Sequence, residues 1–350
     1  MRNPLIDLLQ AVSSEGSISG GARALGLSYR HVWGELKRWE NDLGNELLIW
    51  EKGQSARLTE FATKLMWAER QAQARLAPQI EALRAELERS FSLAFDDTQH
   101  VLTMYASHDE AISALREYAW QGAPHDHQLH LDVRFTGSVD AIRALNEGRC
   151  VVAGFHTLLN PARKSPSERA YKRLLQPGQH KIIGFAQRTQ GLMVPAGNPL
   201  KLQSLPEVVS TQARFANRAL GTGTRVVLDE LLAQAGIEPN ALNGFADSEP
   251  SHKAVAQAVA SGQRDTGLGI AAAAQHAGLD FIPLSEERYH LVCLKSALEH
   301  TGVQTLRALL QTPAWQHRVA DITGYAPLQS GQVLAMRDVL PWWTFDQTKR

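Results

Sequence analysis

Between Ser17 and Leu58 the chain carries a spacing that leaves it little freedom of fold. Ala22, Gly26 and Val32 are set as A-x-x-x-G-x-x-x-x-x-V. In that pattern a small residue lets two helices approach, a glycine makes the turn, and a branched residue packs the second helix back on the first. The spacing predicts a helix-turn-helix. It places Ser28, Tyr29, Arg30, His31, Trp33 and Lys37 on or beside the exposed face of the second of these helices, with Arg38 next to them. A DNA major groove is wide enough to admit such a helix. Upstream, Pro4, Leu5, Leu8, Leu9 and Val12 recur at helical steps and give a first helix one buried stripe. Ser17 or Ser19 can cap the helix that follows, and Ser28 the next. Leu47 to Trp50 suits a strand, Lys52-Gly53-Gln54-Ser55 a turn, and Ala56-Arg57-Leu58 the return strand. That hairpin would be a wing, with Lys52 and Arg57 available to phosphates. Residues 1–58 thus read as a winged helix-turn-helix.

The run GSISGGARALGLSYRHVWGELKRWENDLGNELLIWEKGQSARLTEFATKL resembles the DNA-binding domain of the molybdenum-responsive and LysR-type transcription regulators. The resemblance covers about the first quarter of the chain and implies a double-stranded DNA operator as partner. The alternative is a three-helix packing module that touches no nucleic acid. Charge does not decide between them, because the 36 basic residues equal the 36 acidic ones. Attraction to DNA must come from the local placement of Arg30, Lys37, Arg38, Lys52 and Arg57.

From Thr59 to about Ser90, Phe61, Leu65, Ala68, Ala72, Leu76, Ile80, Leu83 and Leu87 recur at three- and four-residue steps. A helix of 30 residues would reach roughly 45 Å. A stripe that long has no partner within a small winged domain, so the expectation is a linker helix pairing two subunits. That gives a homodimer, with a tetramer as the larger alternative. A connector packed on its own chain is the other reading. Pro78 marks a kink or a junction of two helices.

After a polar break at 96–99, short apolar strands alternate with helices, the pattern of βα units. Val101–Ala106 leads into Ser107-His108-Asp109, Leu129–Phe135 into Thr136-Gly137-Ser138, and Cys150–Phe155 is a third strand. Arg214–Asn217 leads into Arg218 and the turn Gly221-Thr222-Gly223-Thr224-Arg225. That turn lacks the G-x-x-x-x-G-K-[ST] spacing of a phosphate loop. Each junction offers hydroxyls and helix-start amides to an anion.

NPLKLQSL, ANRALGTGTRVVLDELL, SHKAVAQAVASGQRDTGLGIAAAA and LDFIPLSEERYHLV follow in this order. As an ordered set over about 100–295 they resemble the substrate-binding domain of periplasmic binding proteins, the molybdate and tungstate type in particular. The resemblance implies two α/β lobes joined by hinge strands, with a ligand clamped between them. Lobe I would span about 100–190 plus 285–350, and lobe II about 192–283, with Lys181–Val194 and Glu287–Lys295 carrying the crossings. The tail after Thr301 would pack as helices on lobe I. Ser107, Thr136, Ser138, Thr222, Thr224 and Arg225 are the site residues this reading selects, with Arg225 as the charged fork. Arg218 is a second charged candidate, or the partner of a buried acid. His156 and His252 could face the cleft or be structural hydrogen-bonders. Asp265 reads as a cap or hinge residue.

The fold expectation is therefore α/β: winged helix-turn-helix, linker helix, two-lobed periplasmic-binding-protein-like domain. The functional expectation is a cytoplasmic one-component regulator sensing a small oxyanion, molybdate or tungstate before a carboxylate such as formate. A ligand-independent architectural DNA-binding protein is the alternative. An enzyme on the same clamp would need a nucleophile–base pair or metal set, and the scattered histidines and two cysteines supply none. No catalytic residue, metal or cofactor is expected. Cys150 and Cys293 lie in apolar runs and read as buried thiols. The start MRNPLIDLLQ lacks a signal peptide's apolar core, and no run approaches the 18 or so apolar residues of a membrane span.

Overall fold

The computed structural model describes residues 4–49, 56–95, 101–122 and 129–343. The chain divides into two compact units, Met1–Ala74 and Arg75–Arg350.

In the first unit, α1 (Pro4–Glu15), α2 (Ile18–Ala24) and α3 (Tyr29–Leu43) enclose Leu5, Leu8, Leu9, Val12, Ile18, Ala22, Val32 and Leu36. The local signals act as their chemistry requires. Ser17 Oγ accepts from Gly20 N at 3.0 Å and Ser28 Oγ from His31 N at 3.2 Å, so both helices start on a serine cap. Ser19 lies inside α2 and caps nothing. Gly26 has φ +67°, the left-handed turn between α2 and α3. Gly21 as well as Ala22 lets α1 and α2 approach: a Cβ on Gly21 would lie 2.9 Å from Val12 N. β1 (Leu48–Ile49) and β2 (Arg57–Leu58) pair antiparallel as the expected hairpin. Its turn, with Trp50 and Lys52, lies outside the described residues.

α4 runs from Glu60 to Phe95 as one helix with Pro78 inside it. Its stripe divides. Phe61 and Leu65 pack against the core of the first unit with buried Ala62 and Met66. That corrects the expectation that the whole stripe lacks a partner within the small domain. Leu76, Ile80, Leu83 and Leu87 are 49–62% exposed.

In the second unit, β3 (Val101–Ala106), β4 (His130–Phe135) and β5 (Val152–Leu158) form a parallel set with α5 (Glu110–Glu117), α6 (Ser138–Asn146) and α7 (Pro166–Tyr171). β6 (His180–Val194) then crosses to a second parallel set. That set contains α8 (Leu205–Ser210), β7 (Phe215–Arg218), α9 (Gly223–Gln234), β8 (Ser248–Glu249), α10 (His252–Ala260), β9 (Thr266–Ile270) and α11 (Ala271–His276). β10 (Asp280–Leu294) returns antiparallel to β6 along its whole length. The sheet order is β4-β3-β5-β10-β6-β9-β7-β8. Two parallel βα lobes thus share a central antiparallel pair; one core joins the first lobe and the crossing strands to β7, β9, α10 and α11 of the second, which has a further core of its own. α12 (Thr301–Gln311) and α13 (Pro313–Ala320) follow and pack on the first lobe's core. The tail is not helical throughout: β11 (Tyr325–Pro327) and β12 (Val333–Leu334) pair with β6 before α14 (Met336–Val339). No described helix is long and apolar enough to cross a membrane.

Candidate functional site

Strand ends and helix starts of both lobes meet at the crossing strands. In lobe I, β3 ends before Ser107, and Asp109 rather than Ser107 caps α5, accepting from Ala111 N at 2.8 Å. That leaves the Ser107 hydroxyl free for Ser138 at the start of α6, 3.4 Å away. Ser138 Oγ lies 3.4 Å from His156 Nδ1. His156 is inside β5 rather than at its end, and its ring packs 3.8 Å from that of Tyr289 on β10. In lobe II, Arg218 ends β7, Thr224 sits in the first turn of α9, and Ser251 caps α10 so that His252 opens it. Thr224 Oγ1 and His252 Nε2 are 3.2 Å apart. Gln190 on β6 joins the two sets, donating to Thr224 Oγ1 at 3.3 Å and to Glu287 Oε1 at 3.2 Å. Ser107, Ser138, His156, Gln190, Arg218, Thr224 and His252 are all buried.

The lobes touch through backbone at the rim. Val139 N donates to Gly221 O at 3.2 Å, and a Cβ on Gly137 would lie 2.8 Å from the same oxygen.

Charge in this cluster is unevenly compensated. Arg188 is bound to both Asp109 and Glu287, and Tyr325 OH donates to Asp109 at 2.6 Å. Arg218 makes no ion pair among the described residues, and the Asp109 carboxylate that attracts it is already bound to Arg188. Arg218 Nη2 donates to Pro250 O at 3.1 Å, while Nε and Nη1 have no hydrogen-bond partner among the described residues. Burial, with the Arg188 charge added, pushes its pKa down to about 10. Burial first, then the neighbouring arginines, holds His156 and His252 well below the usual histidine value. Both imidazoles are therefore neutral near pH 7. His156 Nε2 and His252 Nδ1 are also unpartnered. One uncompensated guanidinium, neutral rings, two or three hydroxyls and two helix starts make a site suited to a small anion.

The other residues selected from sequence are placed differently. Arg225 Nε donates to Asp229 at 3.1 Å, and its guanidinium lies 3.8 Å over the Phe245 ring, so its charge is spent within lobe II. Thr222 caps α9, accepting from Arg225 N and donating to Ala219 O. Thr136 is half-buried, with its amide on Ala106 O. Asp265 binds Arg214 as a surface pair. Gln190, Arg188, Glu287 and Tyr289 were not selected, because they lie on the crossing strands, which read only as apolar extended runs. Cys150 and Cys293 are buried free thiols, and no group of three or more metal-binding side chains forms among the described residues.

On the reader, Tyr29 and Trp33 stack with centroids 6.4 Å apart, and Lys37 Nζ lies 5.0 Å over Trp33. Lys37 also binds Glu40 at 2.6 Å and Arg38 binds Glu35 at 2.6 Å. Arg30 and His31 are exposed on the same helix, and Arg57 on the hairpin. The helix shows an aromatic and basic face to solvent, with its apolar face on Val32 and Leu36.

The chain thus joins a helix-turn-helix and hairpin, with an exposed basic and aromatic helix, to two α/β lobes. Family comparison agrees part by part. Residues 5–63 match the bacterial regulatory helix-turn-helix proteins of the lysR family, and residues 121–311 match the PBP superfamily domain. The chain belongs to the PBP superfamily and carries in front of that domain a segment similar to the lysR-family helix-turn-helix. Among curated relatives, the uncharacterized protein YvgK of Bacillus subtilis is 31% identical over 202 residues, 57% of this chain. The chain spans 64% of that protein's length. An uncharacterized protein from the 5′ region of a ferredoxin gene of Clostridium pasteurianum is 30% identical over 110 residues, 31% of this chain and 97% of its own. Among solved structures, full-length BenM aligns over 88% of this chain and 95% of its own, with 16% identity and a TM-score of 0.44. CbnR, a LysR family transcriptional regulator, aligns over 88% and 100%, with 17% identity and a TM-score of 0.41.

Proposed function

We propose that this regulator senses a small oxyanion bound between the lobes, and that Arg218 is its principal charged ligand. The observation that carries the reading is the buried Arg218 guanidinium, with two nitrogen atoms unpartnered and no ion pair among the described residues, where burial and Arg188 outweigh the attraction of Asp109. A buried charge without a partner is costly, and an anion supplies the partner. Ser107, Ser138 and Thr224 would donate hydroxyls, and the starts of α6 and α9 would donate amides. His156 and His252 would add neutral N–H groups. Arg225, paired with Asp229, would shape the turn rather than hold the ligand. Molybdate and tungstate are the favoured anions, on the resemblance of the domain to the molybdate and tungstate binding type. Formate is the carboxylate alternative.

The reader would place α3 in the major groove of an operator. Arg30 and Lys37 would lie toward DNA, with Tyr29, His31, Trp33 and Arg38 beside them and Arg57 on phosphate. Leu76, Ile80, Leu83 and Leu87, spaced four, three and four apart and exposed, would pair with a second copy into a homodimer. The test is calorimetry of the full chain against molybdate, tungstate, sulfate, phosphate and formate, with Arg218→Met and Arg225→Ala alongside. Binding lost in the first and retained in the second supports the site. The absence of binding by any of the five anions refutes the sensor reading and leaves the architectural one.

A further inference from the structure

The second unit holds its own stretch of α4 at two points, one on each lobe. Arg75 makes a two-point pair with Glu249 of lobe II, Nε to Oε2 at 2.8 Å and Nη2 to Oε1 at 2.6 Å. Glu81 Oε2 takes Ser113 Oγ at 3.1 Å and lies 3.3 Å from His108 Nε2, both of lobe I. The Glu81 carbonyl accepts from Arg116 Nη1 at 3.1 Å. Arg75 and Glu81 are six residues apart, so they sit roughly 9 Å apart along the axis and about 120° apart around it. The exposed stripe Leu76, Ile80, Leu83 and Leu87 lies on the side of the helix away from both.

Each contact ends beside the buried cluster. Glu249 is the register partner of Arg218, and the next residue, Pro250, accepts from Arg218 Nη2. His108 stands between Ser107 and Asp109, which caps α5. A helix tied to both lobes can keep both ties at only one lobe separation.

We propose that α4 reads closure of the clamp directly, through the Arg75–Glu249 pair on lobe II and the Glu81–His108–Ser113 contact on lobe I. Parting of the lobes breaks one tie and lets the helix follow the other, which turns the apolar stripe and with it the pairing of two copies. The inference rests on the clamp reading above for what closes the lobes, but it does not depend on which anion does so.

The test closes the lobes without any ligand. A Cβ on Gly221 would lie 3.9 Å from Val139 Cβ, within the span of a disulfide. Val139→Cys with Gly221→Cys therefore locks the rim when oxidised. The reduced form serves as the folding control, because Gly221 has φ +85°. Cys150 and Cys293 are buried, with thiol pKa values pushed up to about 11, and do not compete. Affinity is measured for a duplex selected from a random library. Oxidation is expected to change it at least about fivefold. Adding Arg75→Ala with Glu81→Gln is expected to bring the change within about twofold, and the exchange Arg75→Glu with Glu249→Arg to return part of it. No change on oxidation, or a change that survives the loss of both ties, overturns the proposal. Should the double-cysteine chain not fold, molybdate replaces oxidation. Loss of the molybdate-induced shift in Arg75→Ala/Glu81→Gln, with molybdate affinity by calorimetry kept within about threefold, supports coupling through the ties, whereas an intact shift overturns it. A wild type that binds no anion overturns the sensor reading alone, since the disulfide arm still decides this one.

Discussion

Replacing Arg218 by Met should leave the ligand-free protein no less stable and abolish sensing. Holding the buried guanidinium charged at a pKa near 10 instead of 12.5 costs the fold roughly 3 kcal/mol. The folded value lies below the unfolded one, so the fold resists the charged form at every pH below about 10, and the cost stays constant through the neutral range. Met fills a similar volume without the charge and forgoes only the charged hydrogen bond to Pro250 O, about 1.5–3 kcal/mol. The variant should therefore be no less stable to urea than wild type, with up to about 1.5 kcal/mol of extra stability in anion-free buffer. With anion the wild type leads. Nε and Nη1 each offer a charged hydrogen bond of about 1.5–3 kcal/mol, so the variant should lose about 3–6 kcal/mol of binding, two to more than four orders of magnitude in Kd. At 100 times Kd the wild type gains about 2.7 kcal/mol and overtakes the variant. Urea unfolding of both proteins with and without molybdate reads all four values. A variant clearly less stable than wild type without anion would refute the reasoning, because Arg218 would then already have its partner in the fold.

Arg225→Ala should change anion affinity less than about threefold, since its charge is committed to Asp229 and Phe245; calorimetry checks this. Arg30→Ala with Lys37→Ala should weaken operator binding and flatten its salt dependence without altering the helical circular dichroism, and an unchanged salt slope would remove these residues from the DNA face. Leu76→Asp with Ile80→Asp should yield smaller species in light scattering, whereas a wild type already monomeric at micromolar concentration would end the dimer reading. His156, His252 and His290 all have depressed folded values, the last pushed down to about 3. The unfolded chain takes up protons below pH 6.5 that the fold excludes, so stability should fall as pH drops below that point. The slope approaches about 1.4 kcal/mol per pH unit for each histidine. A flat urea midpoint between about pH 7 and pH 5.5 would contradict their buried neutral state.

What the sequence made legible follows from the range of the forces involved. The reader was legible because its signals are local: Ser17 and Ser28 cap within three residues, and Gly26 turns at its own φ. The crossings were legible as apolar extended runs, but their polar faces were not. Arg188 meets Asp109 and Glu287 from 79 and 99 residues away, and nothing in a run such as GFAQRTQGLMV announces such partners. The different settings of Arg218 and Arg225 were illegible for a related reason. Arg225 stands next to the eye-catching GTGT turn, yet helical geometry delivers it to Asp229 four residues on. Arg218, at a strand end, is carried inward. The linker stripe looked uniform in sequence, but its first two turns serve the reader's own core and only the later ones remain uncovered.

The meeting of Gly137 and Gly221 would give the proposed clamp a hard stop. Backbone abuts backbone at the rim, so no rotamer change can let the lobes travel further or settle short. A single methyl at residue 137 would act as a doorstop, since the carbonyl it strikes cannot swing aside as a side chain would. Both halves of the site would keep every donor and still fail to share one anion. If the lobes close as proposed, the end of their stroke would be set by this backbone contact, which would make closure a switch with a fixed end point rather than a spring with a tunable one.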